Sequence, residues 1–114
     1  MNENELITLI EDYLGDIDLF SKLRVEKVVC KPDSQMLVWR VSSRYNSEGD
    51  SLKISYDQCL KHIYFSLERS KISYGERRCV MGFSLKSLLN MHFEDNGVSI
   101  ELEHGDFIVI YLRP

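Results

Sequence analysis

The stretch Val98–Leu112, VSIELEHGDFIVIYL, decides how this chain folds. Its first half alternates apolar and polar residues, as a strand with one buried face does. Its second half, Phe107–Leu112, is apolar at every position, the pattern of a more interior strand. The two halves read as a β-hairpin. A two-residue loop is the favoured connection, at His104-Gly105 or at Gly105-Asp106. In either register Val98, Ile100 and Leu102 share a face with Phe107, Val109 and Tyr111, and that face is core. Ser99, Glu101 and Glu103 then share the opposite face with Ile108, Ile110 and Leu112. Such a face is half acidic and half aliphatic. Burying each aliphatic side chain is worth about 1.5–3 kcal/mol, so a helix of the same chain or a partner must cover them.

Upstream, Asn96-Gly97 is a turn signal. Ser84 stands where it would cap a helix carrying Leu85, Leu88 and Leu89 and ending near His92. Cys79–Phe83 reads as a short strand. Tyr56, Cys59, Leu60, Ile63, Tyr64 and Leu67 recur at helical spacing, and Ser55 with Gln58 three residues on fits a capping box. The spacing therefore predicts a helix from there through about Ser70, with a short strand at Leu52–Tyr56 before it. Residues 24–31 and 35–45 flank Pro32-Asp33-Ser34, a turn signal, and read as an antiparallel hairpin with Leu37, Trp39, Val41 and Tyr45 on its core face. Leu6, Ile7, Ile10, Tyr13, Leu14 and Ile17 predict an amphipathic N-terminal helix over 4–14, resuming after Gly15 through Phe20. Residues 46–51 and 73–78 read as loops. The fold class this order predicts is α+β. It is a single domain over 1–114, mainly antiparallel sheet, with the N-terminal helix and one or two further helices packed on it.

A chain of 114 residues with 44% apolar and 28% charged residues has the composition of a soluble globular domain large enough for one core. No stretch approaches the ~20 apolar residues of a membrane-spanning helix. The acidic start, MNENELITLIEDYLGDID, is unlike a secretory signal. A cytoplasmic location and no membrane association follow as expectations. Cys30, Cys59 and Cys79 are odd in number and widely spaced, which predicts reduced thiols packed in the core rather than a disulfide framework. The formal net charge is −4 but unevenly spread. Residues 1–18 hold six acids and no base, residues 19–90 thirteen bases and seven acids, and residues 91–114 five acids and one base. An acidic end of this kind suits a basic partner.

Signatures of catalysis are missing from the sequence. No C-x-x-C or H-x3-H spacing points to zinc, no D-x-D-x-D-G to calcium, and no G-x-S-x-G or phosphate cradle to nucleophilic or nucleotide chemistry. No enzyme activity, cofactor or metal is expected. His62, His92 and His104 are the acid–base candidates, read more simply as a residue on the polar face of a helix, one near a helix end and a turn residue. Arg40, Arg44, Lys53, Arg77 and Arg78, with Trp39, Tyr45 and Tyr74, would be the nucleic-acid candidates. The acidic total argues against direct nucleic-acid binding. The residues assigned to partner binding are Glu94, Asp95, Glu101, Glu103 and Asp106, carboxylates that can meet the Lys and Arg of a basic protein.

In length, α+β order and carboxylates such as Glu101, Glu103 and Asp106, the whole chain resembles the immunity proteins of bacterial contact-dependent growth-inhibition and polymorphic-toxin systems. The resemblance implies a cytoplasmic inhibitor that binds a cognate, basic, nuclease-type toxin. Its carboxylates would occlude the toxin's active site in place of substrate phosphates. Two alternatives stand beside it: a secretion chaperone or adaptor, and a small enzyme with a dispersed histidine site.

Overall fold

A computed structural model describes residues 1–15, 22–46, 48–69 and 78–113, with 78 and 79 described in backbone only. The chain is α+β. Helix α1 (Glu3–Asp12) is followed by a five-stranded antiparallel meander: β1 (Leu23–Val28), β2 (Met36–Ser43), β3 (Ser51–Asp57), β4 (His62–Glu68) and β5 (Arg78–Ser84). One 3-10 turn, Leu85–Ser87, leads into a second antiparallel sheet of β6 (Leu88–Phe93), β7 (Gly97–Leu102) and β8 (Phe107–Tyr111).

Helix α1 begins where the Asn2 side chain accepts the Glu5 N–H at 2.8 Å, and its amide donates back to the Glu5 carboxylate at 2.7 Å. The first bond satisfies one N–H that the first helical turn leaves open, and the second holds the capping side chain in place. Leu6 and Ile10 are its fully buried stripe. Lys61, in the β3–β4 turn, donates to Glu3 at 3.0 Å and holds that carboxyl below its ordinary pKa. The inner face of the large sheet carries Val25, Trp39, Val41, Leu52, Ile54, Tyr56, Ile63 and Phe65, all buried. They form one core with α1 and with the inner face of the small sheet. Tilted rings of Tyr13 and Phe93, 4.7 Å apart, join the helix end to β6.

The helix expected from Tyr56 to Ser70 is instead the β3–β4 hairpin. Positions 56, 63 and 67 fit both a helical stripe and two alternating strands. Phe65 does not fit the stripe, and it is fully buried, while Cys59 and Leu60, which do fit it, are exposed. Asp57 makes the turn by accepting the N–H groups of Cys59 and Leu60 at 2.9 and 3.0 Å, and Lys61 takes a left-handed φ of 56°. A turn-forming Asp at that position outcompetes helix propagation. The helix expected after Ser84 is the single 3-10 turn followed by β6. Ser84 makes no side-chain cap bond, and an irregular register between Leu88 and Asn90 breaks the alternation that would have marked a strand. Tyr45 lies past the end of β2 and is exposed, not core. Cys59 is exposed and Cys30 half-buried, so neither is the packed core thiol expected. The possible continuation of α1 to Phe20 lies outside the described residues.

The closing hairpin forms, but its loop has three residues. Leu102 N–H bonds to Asp106 O at 2.9 Å across Glu103, His104 and Gly105, and Leu112 N–H to Asn96 O at 2.8 Å. His104 and Gly105 adopt left-handed φ values of 70° and 83°. One residue more than the two-residue loop flips every side chain of β8 to the other face. Val98 therefore faces Ile110 and Ile100 faces Ile108, on the core side, while Glu101 faces Phe107. Ile110 and Leu112 are buried and Ile108 is half-buried. The aliphatic residues assigned to the open face are the inward ones, and Phe107 and Tyr111, assigned to the core, are 63% and 57% exposed.

Candidate functional site

The outer face of the small sheet is built row by row from its register. Asn90, Glu101 and Phe107 form one row, His92, Ser99 and Val109 the next, and Gly97 and Tyr111 the last. Ser99 is nearly buried between its neighbours. The face presents a carboxylate and an aromatic ring at one end and an aromatic ring at the other. Gly97 sits where a Cβ would collide with the Ile110 carbonyl, so only glycine lets β8 lie this close beside the Tyr111 position.

The five carboxylates assigned from sequence fall in two groups. Glu101, on β7, is joined by Glu103 and Asp106 at the ends of the three-residue loop, and all three are exposed. Glu94 and Asp95 occupy the β6–β7 turn, where Glu94 N–H bonds to Gly97 O at 2.8 Å. The length of β7 separates the two groups by roughly 17–20 Å. Among the described residues none of the five has a salt-bridge partner, whereas Glu3, Glu11 and Glu68 each have one and Glu26 and Asp50 each have two. What sequence reasoning missed is the company these acids keep. Phe107 and Tyr111 stand beside them, and the signal was Gly105, a glycine at the left-handed position that three-residue hairpin loops use.

Beside β8 lies an apolar groove of about 370 Å³. The chain floors it with Leu52, Phe65, Leu67 and Met81 from the large sheet and walls it with Ile108–Tyr111. Arg69 and Arg113 also line it. Both guanidinium groups turn to Asp50, a carboxylate 1% exposed, which accepts Arg69 Nη1 at 2.9 Å, Arg113 Nε at 3.3 Å and the Arg113 backbone N–H at 3.0 Å.

The remaining candidates do not converge. His62 is on the outer face of the large sheet, its Nδ1 3.2 Å from Leu60 O; His92 is exposed on β6; His104 is in the turn. Among the described residues no three His, Cys, Asp or Glu side chains gather as a metal site would require. Arg40 is paired with Glu26 at 2.7 Å and Lys53 with Glu68 at 3.8 Å, and Arg40 holds the Glu26 carboxyl below its ordinary range. Arg44 Nε donates to Leu23 O at 3.0 Å. Trp39 is fully buried on the opposite face of that sheet, so it does not join these cations, whereas Tyr45 is exposed next to Arg44. Arg77 and Tyr74 lie outside the described residues, as does the Arg78 side chain. No described helix is long and apolar enough to cross a membrane. No protein-family model, curated protein or solved structure matches the chain.

Proposed function

We propose that this protein is a binding protein that docks a basic protein partner on the outer face of its small sheet. It would act as a stoichiometric inhibitor in the manner of the immunity proteins that the sequence resembles. The observation that carries this reading is the grouping of Glu101, Glu103 and Asp106, exposed and without ion-pair partners among the described residues, at the end of the sheet where Phe107 is 63% exposed. A carboxylate already paired must lose that pairing before it can serve a new cation. These need not, so their field is available to steer a basic surface and fix its orientation. The exposed rings supply the apolar contact area on which interface affinity concentrates. For a nuclease-type toxin, three exposed carboxylates at one end of the sheet offer its phosphate-binding Lys and Arg the charge they would find on a nucleic-acid backbone.

The test needs the partner in pure form, obtained by affinity capture from the source cell. Association of the Glu101→Lys, Glu103→Lys double variant should be slower by about tenfold or more at low salt, and the difference should shrink as salt rises. Phe107→Ala should raise the dissociation rate instead. Unchanged kinetics in both variants, with the partner still bound, would place the interface elsewhere and end this reading.

A further inference from the structure

The outer edge of β8 is a second binding feature, and it rests on backbone rather than on charge. The bonds Leu102 N–H to Asp106 O and Leu112 N–H to Asn96 O set the alternation of the ladder. Residues 108 and 110 bond to β7 and Leu112 to Asn96 just before it, so the N–H and C=O groups of Phe107, Val109 and Tyr111 point away from β7. β8 is the last strand of its sheet, and among the described residues no strand pairs with that side. Edge strands are normally blunted by Lys, Pro, an inward charge or a bulge. Phe107–Leu112 holds none of these, and its register against β7 is unbroken. One residue on, the same side is already in use. Arg113 donates its N–H to the Asp50 carboxylate at 3.0 Å and accepts the Asp50 N–H at 2.9 Å. The edge thus has a bonded end and an open run of three residues beside the 370 Å³ apolar groove.

We propose that an extended segment of the partner adds to this edge as a fourth strand. It would bond to Phe107, Val109 and Tyr111 and place one apolar side chain in the groove over Phe65, Leu67 and Met81. Strand addition of this kind takes affinity from main-chain bonds and specificity from pockets at alternate positions. Charge selects the occupant. The open run starts at Glu103 and Asp106, which have no ion pair among the described residues, and ends at Arg69 and Arg113, which Asp50 already satisfies. A segment with a Lys or Arg beyond its apolar positions therefore finds an unmet carboxylate at one end and no unmet cation at the other. A second copy of this chain fits less well. Two copies, each with a formal net charge of −4, repel one another and bring no surplus of cations to these carboxylates. The choice of a basic partner rests on the function proposed above; the open edge does not.

A phage-displayed library of random nonapeptides, panned on the intact protein, is the probe, with the enriched peptides resynthesised and labelled for anisotropy. Enrichment of apolar residues at every second position with Lys or Arg at one end is expected. Val109→Pro should weaken binding by about tenfold or more, because proline is tolerated where the N–H faces outward but cannot donate to an added strand. Circular dichroism and thermal unfolding check that this variant is folded. Met81→Trp, which fills the groove, gives the same reading if it is not. No enrichment, or binding indifferent to both variants, overturns the proposal. So does a dimer in sedimentation that Val109→Pro dissolves, since the occupant would then be a second copy. Binding lost in Glu103→Lys, Asp106→Lys but kept in Val109→Pro and Met81→Trp rejects the edge and leaves the acidic docking face standing. Binding of uncharged alternating peptides lost only in Val109→Pro and Met81→Trp supports the edge and rejects the basic partner.

Discussion

Asp50 shows at single-residue scale what holds the ends of the two sheets together. It lies between β2 and β3, and it binds Arg69 beyond β4 and Arg113 beyond β8. Removing a carboxylate from water costs several kcal/mol unless charges and N–H groups replace the lost hydration. Here two guanidinium groups and one backbone N–H do so. Asp50→Asn keeps the shape and removes the charge, leaving Arg69 with its partner gone. Because both arginines remain partly exposed, the expected loss is about 2–3 kcal/mol rather than the full cost of breaking a buried pair. Urea unfolding measures it, and a loss below about 0.5 kcal/mol would show that Asp50 is not the tie. Gly97 makes a different point. Its φ is not left-handed; glycine is needed there because Ile110 O comes too close for any Cβ.

At the scale of the element, the β7–β8 loop governs which side chains a partner can see. Three loop residues put Ile108, Ile110 and Leu112 inside and Phe107, Val109 and Tyr111 outside; two would do the reverse. Ile110→Ala should therefore cost about 2–4 kcal/mol, while Tyr111→Ala should cost less than about 1 kcal/mol. Equal costs in thermal or urea unfolding would contradict this register. The presence of the hairpin and of β1 and β2 was legible because strand-like runs flank the turn residues Gly105 and Pro32-Asp33-Ser34, and α1 was legible from its helical spacing. Loop parity was not legible. The favoured two-residue loop and the actual three-residue one both fit the H-G-D sequence, and an apolar run such as Phe107–Leu112 gives no alternation to choose between them. The β3–β4 hairpin was hidden for a related reason. Residues 56, 63 and 67 satisfy both periods, and Asp57 and Phe65 were the discriminating positions. In β6 the irregularity near Leu89 turned alternation into an apparent helical stripe. The acids of the candidate site were found from charge alone, but their division into two groups needed the strand between them.

At the scale of the whole molecule, the two sheets spend their charge differently. On the outer face of the large sheet Glu26 pairs with Arg24 and Arg40, and Glu68 with Lys53. Each of these cations already has a carboxylate beside it, although three cations share two acids. On the small sheet the carboxylates are unpaired among the described residues, the rings of Phe107 and Tyr111 are exposed, and β8 carries no blunting residue. Both the proposed docking face and the proposed strand addition depend on one feature, the placement that the three-residue loop gives β8. Amide hydrogen exchange of the isolated protein, read residue by residue by NMR, tests that placement and the open edge together. The account predicts slow exchange at Ile108 and Ile110, whose N–H groups bond to β7, and at Leu112, bonded to Asn96 O, with fast exchange at Phe107, Val109 and Tyr111. Protection at Phe107, Val109 and Tyr111 with fast exchange at the other three would contradict the register, and uniform protection would mean the edge is not open.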